Sequence, residues 1–125
     1  MNKLIINKTQ NTPSVKFDPD TGKFELAGRS IPENPGEFFD PLIKWLSKYF
    51  DSPASKTVFN VNLEYVNSGS SKYLLSLLRV FKDKYKEKLD IQINWYFEED
   101  DEAIESLGEH YRSSLQMPFN MVEYI

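Results

Sequence analysis

Three hydroxyls crowd into the four residues Ser68-Gly69-Ser70-Ser71, with Asn67 before them and Lys72 after. A serine oxygen at the start of a helix can accept an N–H of the first turn, which makes Ser68 or Ser70 a candidate N-cap. It can also accept a phosphoryl group, because the positive end of the helix dipole and the free amides there tolerate a dianion. A hydroxyl engaged as a cap must be released before it reacts. The acidic run Glu98-Glu99-Asp100-Asp101-Glu102 is a second grouping. It suits a hard cation where a strand ends and a helix begins, and it suits the first turn of a helix and a solvated surface better. His110 is the single histidine and there is no cysteine. Without a second nitrogen or sulfur ligand, or a nucleophile to serve, it reads as an ordinary helical residue. Asp18-Pro19-Asp20-Thr21-Gly22 lacks the later bidentate glutamate of a calcium loop and reads as a turn. Neither standard glycine-rich phosphate loop occurs. No residue pair supplies a nucleophile with its base, so the expectation is a protein that is not an enzyme, with no cofactor and no metal.

The elements that must position these residues are legible from periodicity. Val15 and Phe17, then Phe24 and Leu26, alternate on either side of the Asp-Pro-Asp-Thr-Gly turn and predict a β-hairpin. Asn34 as N-cap, Pro35 at the first helical position and Glu37 as the partner of a capping box mark a helix start. Phe38, Leu42, Trp45, Leu46, Tyr49 and Phe50 recur at helical spacing, with Pro41 requiring a kink or a later start at Asp40. Thr57 to Val66 alternates as a strand, with Phe59, Val61, Leu63 and Tyr65 on one side, and Leu89 to Phe97 does the same. Leu74, Leu77, Leu78, Phe81 and Tyr85 form the stripe of a crossover helix between them, making the two strands parallel. Ile104, Leu107, Tyr111 and Leu115 predict a third helix, and Phe119 to Tyr124 a last strand.

Alternation, in place of continuous apolar runs, predicts a sheet with helices mainly on one face and water or a partner on the other. The expected architecture is therefore a single two-layer α/β domain spanning residues 1–125, with a mixed sheet and an N-terminal hairpin. A length of 125 residues agrees with one domain. Hydrophobic residues at 40% and aromatics at 14% exclude a disordered chain. Fifteen Lys and Arg against nineteen Asp and Glu leave a net charge of −4, a field that repels nucleic acid and anionic membranes. Leu4-Ile5-Ile6 is too short for a signal-peptide core, no run is long enough to insert in a membrane, and a cytoplasmic location is expected.

Several of these segments, in order, carry a family resemblance. Ile31-Pro32-Glu33-Asn34, Phe38-Phe39, Leu42-Ile43-Lys44-Trp45-Leu46, the stretch from Leu63 through Asn67-Ser68-Gly69-Ser70-Ser71-Lys72 to Leu75, and Asn94-Trp95-Tyr96-Phe97 resemble the SiaC family of bacterial regulatory phosphoproteins. The similarity covers nearly the whole chain. It implies a fold like that of the STAS domains of anti-sigma-factor antagonists. It also implies a partner-switching protein that a Ser/Thr kinase phosphorylates and a metal-dependent phosphatase restores. The unmodified form would bind and activate a diguanylate cyclase, with cyclic di-GMP signalling and biofilm formation as the output. In the family the acceptor is a threonine directly after asparagine, within Asn-Thr-Ser-Ser-Ser-Lys, and the matching residue here is Ser68. The chain departs by having Ser at 68 and Gly at 69, and Ser70 is the runner-up. Around the acceptor, Asn67 is expected to shape the turn, Lys72 to contact the phosphate, and Tyr65 and Tyr73 to join Gly69 and Ser71 in a switch and partner-binding region.

Two other classes compete. One is a small-molecule or nucleotide-binding domain using the polar strand ends near Ser68 and Glu98. The other is an enzyme built on the acidic run and His110.

Overall fold

The hairpin is the seed of a larger sheet. In the computed structural model, which describes residues 1–125, β2 (Ser14–Asp18) and β3 (Lys23–Ser30) pair antiparallel across the expected turn. The apolar run near the N-terminus becomes a further edge strand, β1 (Leu4–Ile6), antiparallel to β2. Three residues gave too little periodicity to reveal it. From β3 the chain repeats one move three times: α1 (Pro35–Tyr49) leads to β4 (Thr57–Val66), α2 (Ser68–Lys86) to β5 (Ile91–Glu98), and α3 (Glu102–Leu115) to β6 (Phe119–Tyr124). Each new strand lies parallel beside the previous one, so the sheet order is β1-β2-β3-β4-β5-β6. Successive crossovers of one hand, always stepping to the next strand, leave every helix on the same face.

That face holds one cluster of 25 buried apolar residues. Phe17, Phe24 and Phe59 from the strands meet Tyr49 and Phe81 from α1 and α2. The opposite face is polar and partly wet, as the alternation predicts. Asn60, Asn94 and Asn120 lie side by side on three strands and join amide to amide at 2.8 and 3.0 Å.

Two local expectations need correction. The helix α1 starts at Pro35 after Asn34 as predicted, which excludes the later start at Asp40, and it runs through Pro41. Its missing N–H and the ring's pressure on the carbonyl of Glu37 are outweighed by burial of Phe39, Leu42 and Leu46 on both sides. No capping box forms: the Asn34 side chain makes no cap bond, and only its carbonyl accepts the Glu37 N–H at 3.2 Å. In β4 the alternation holds to Leu63 and then breaks. Gly28 pairs with Leu63 but Arg29 pairs with Tyr65, so Glu64 is an extra residue without a partner on β3. Gly28 takes φ +119° at this irregularity, a conformation glycine adopts without strain. Tyr65, expected on the core side, is turned outward and is 61% exposed.

Candidate functional site

Asn67 leaves β4 and is held at four atoms. Its backbone N–H donates to the Ser30 carbonyl at 3.0 Å and its Nδ2 to the Pro32 carbonyl at 3.2 Å. Its Oδ1 accepts the Ser70 N–H at 2.9 Å, and its own carbonyl accepts the Ser71 N–H at 3.0 Å. Asn67 is therefore the N-cap of α2, in extended conformation at φ −76° and ψ 166°. The expectation that Ser68 or Ser70 caps this helix is corrected. The asparagine amide spans the gap, its Oδ1 accepting the helix amide while its Nδ2 donates to the Pro32 carbonyl.

The three serines consequently have different fates. Ser68 occupies the first helical position, exposed, with no protein partner for its hydroxyl. Ser70 is completely buried, and its hydroxyl, like that of Ser30, finds no hydrogen bond. Ser71 turns its hydroxyl back onto the Ser68 carbonyl at 2.8 Å. The amides of Ser68 and Gly69 have no backbone acceptor, as the first turn of a helix requires. Lys72 is exposed one turn beyond Ser68, on the same helix face.

Neighbouring elements hold this turn in place. Pro35 of α1 lies against Gly69, where a Cβ would come within 3.1 Å of its ring. One turn on, the Tyr73 hydroxyl would stand 2.9 Å from a Cβ at Gly36, and its ring stacks at 6.2 Å on Phe39. Tyr73 is thus half a packing residue and 36% exposed. From the other side, the Tyr111 hydroxyl of α3 donates to the Ser71 carbonyl at 2.7 Å. Burial pushes the Tyr111 phenol well above its ordinary pKa, so it stays a donor. Arg29 lies over the Tyr65 ring at 5.1 Å. Sequence reasoning missed Arg29 and Tyr111, because both contacts depend on strand register and helix docking and leave no local pattern.

The C-terminal ends of β4, β5 and β6 and the start of α3 enclose a cleft of about 530 Å³ beside this turn. Leu63, Val66, Ile104 and Leu107 form its apolar floor, and Glu64, Glu98, Asp100, Asp101 and Glu102 its rim. Asp101 caps α3 through the Ile104 N–H at 3.0 Å, as the dipole argument anticipates. No Lys or Arg lines the cleft. The molecule's ion pairs are Lys3–Asp18, Lys84–Glu87 and Arg112–Glu109, so none neutralises the rim. A rim of this charge repels nucleotide phosphates, which weighs against the nucleotide-binding alternative. The carboxylates do not converge into a metal cage. His110 is exposed and lies eight residues beyond Glu102, about 12 Å along the helix axis, so the two parts of the enzyme alternative stand apart.

Comparison with known proteins agrees with this geometry. The family described as SiaC family regulatory phosphoprotein matches residues 6–124. The uncharacterized protein PA14_02130 of Pseudomonas aeruginosa strain UCBPP-PA14 is 26% identical over 119 residues, covering 95% of this chain and 94% of its own length. Among solved structures, SiaC of Pseudomonas aeruginosa superposes with a TM-score of 0.92 at 24% identity, covering 99% of this chain and 100% of that one. SiaC in complex with the diguanylate cyclase SiaD, whose activator it is in Pseudomonas aeruginosa, gives 0.90 at 25% identity, covering 97% and 99%. With the family match spanning almost the whole sequence, and the sheet order and three helices shared with solved members, the chain belongs to the SiaC family of regulatory phosphoproteins.

Proposed function

We propose that the chain is a non-enzymatic switch protein whose Ser68 is reversibly phosphorylated and whose unmodified form binds and activates a diguanylate cyclase. A Ser/Thr kinase transfers the γ-phosphoryl group of a nucleoside triphosphate. The Ser68 Oγ–P bond forms, the bond to the diphosphate breaks, and the hydroxyl proton passes to a base of the kinase. A metal-dependent phosphatase reverses the state by placing a water on phosphorus, releasing phosphate and returning the hydroxyl.

The observation that carries the reading is the division of labour between Asn67 and Ser68. The asparagine takes over the cap, so the exposed serine beside it is left unengaged at a helix start. Ser70, buried at 0% exposure, is out of a kinase's reach without unfolding the turn, which supports Ser68 over the runner-up. A phosphate on Ser68 adds about −1.5 to −2 charges next to the free amides of Ser68 and Gly69 and within one turn of Lys72. The fold accommodates it locally. A partner that covers Ser68 together with Tyr65 and Tyr73 would have to strip water from that dianion, and binding is lost without refolding.

The test is kinase labelling followed by intact mass and site mapping. The wild type and Ser70→Ala are expected to take one phosphate on Ser68, and Ser68→Ala none. A phosphate retained by Ser68→Ala would overturn the assignment.

A further inference from the structure

Resting on the proposed function, we propose that the cleft between β4, β6 and α3 is the docking groove for a basic, apolar-anchored segment of the cyclase. The cleft is large enough to bury several side chains, about 530 Å³, and its floor of Leu63, Val66, Ile104 and Leu107 offers them apolar contact. Its rim carries five carboxylates, from β4, β5, α3 and the turn between β5 and α3, all without a cation. Asp101 and Glu102 satisfy the dipole of α3, but Glu64 and Glu98 are strand residues that no capping or pairing within the chain explains. The bulge that leaves Glu64 unpartnered also exposes Tyr65, so the acidic rim and the aromatic beside the acceptor turn are one continuous surface. Tyr124, whose hydroxyl reaches Asn62 at 3.0 Å, registers the field. Desolvation and then the charges of Glu98 and Glu64 push its phenol above the ordinary value.

Complementarity therefore asks for Lys or Arg on the partner, spaced by apolar side chains. The two surfaces divide the work. The rim attracts the segment in either state of Ser68 and sets encounter rate and affinity. The apolar contact around Ser68 fails when the serine carries a dianion.

The experiment titrates the purified cognate cyclase with the unmodified full chain across a salt series. The rim variant is Glu64→Gln/Glu98→Gln/Asp100→Asn, all exposed residues outside the core and the cap. The control is Asp51→Asn/Asp83→Asn/Asp90→Asn, an equal charge change at exposed positions away from the cleft. The rim variant is expected to weaken binding about tenfold or more at low salt and to flatten the salt dependence, with the control within about twofold of wild type. Wild-type affinity and salt slope in the rim variant, with phosphorylation at Ser68 still abolishing binding, would overturn the groove and leave the switch standing. Slower phosphorylation of the rim variant with unchanged cyclase affinity would overturn it too, giving the groove to the kinase. No binding by the unmodified wild type would remove both the groove and the switch.

Discussion

The two ends of the sheet are built to opposite standards. Around the hairpin end, Phe24 touches Phe17, Trp45, Tyr49 and Phe81 with ring centroids 4.8 to 6.2 Å apart. Polar groups buried there are paired: the Tyr49 and Thr57 hydroxyls meet at 2.8 Å, and the Ala54 N–H donates to the same phenol at 3.1 Å. At the other end, the carboxyl ends of the parallel strands carry an unengaged hydroxyl on Ser68, two orphaned hydroxyls on Ser30 and Ser70, and a rim of uncompensated carboxylates. Stability is concentrated where aromatic rings interlock. Unmatched charge and hydroxyls are concentrated at the strand ends, where open parallel sheets commonly bind their ligands, and the proposed function assigns recognition to them.

The largest expected effect tests the first half of this contrast. Phe24→Ala removes a ring that contacts four others and is expected to cost about 3–5 kcal/mol in urea unfolding, while the molecules that remain folded accept phosphate at the wild-type rate. A loss below about 1 kcal/mol would show that the aromatic end is not the stable one. Asn67→Ala sits at the boundary. It deletes the α2 cap and the tie to Pro32 and is expected to cost about 1–2 kcal/mol, with a several-fold slower kinase reaction because the acceptor turn loses its anchor. A stability loss with no change in kinase rate would separate the cap from the acceptor and break the comparison there.

Tyr111→Phe sharpens it further, since that hydroxyl is the bond from α3 to the first turn of α2. Its deletion is expected to cost about 1 kcal/mol at neutral pH. Because burial raises the phenol's pKa in the fold above its unfolded value of about 10, the fold holds the proton more tightly than the unfolded chain. That stability is intact below pH of about 10 and is lost as pH rises further. Urea midpoints taken from pH 8 to 11 are expected to fall at the alkaline end in the wild type and to fall less in Tyr111→Phe. Tyr124, raised in the same direction, leaves a residual slope. Equal slopes in both proteins would remove Tyr111 from the account.

How much of this was legible in sequence follows from the range of the forces involved. Hydrophobic periodicity is local, so Val15 to Leu26, Thr57 to Val66, Leu89 to Phe97 (whose strand begins at Ile91) and the three helical stripes all announced their elements, and alternation announced the one-sided sheet. The place of the serine cluster between a strand and a helical stripe put it at a helix start, as the structure has it. What periodicity could not give were features set by pairing across the sheet. The extra residue at Glu64, the outward turn of Tyr65 and the contact with Arg29 arise from register against β3, and residues 29 and 65 stand far apart in the chain. The cap went to Asn67, not to a serine, because its amide also reaches the Pro32 carbonyl, a contact that exists only once β3 and β4 are side by side. The cleft was half visible: the acidic run was plain, but its apolar floor gathers Leu63 and Leu107 from elements that only the fold brings together.

The most direct test of the switch is one titration performed twice. The cognate diguanylate cyclase is titrated with the unmodified chain and with the chain quantitatively phosphorylated on Ser68, reading binding and cyclic di-GMP synthesis together. The expected result is saturable binding and stimulated synthesis with the unmodified chain and neither with the phosphorylated one. Equal affinity and equal stimulation by the two forms would contradict the account.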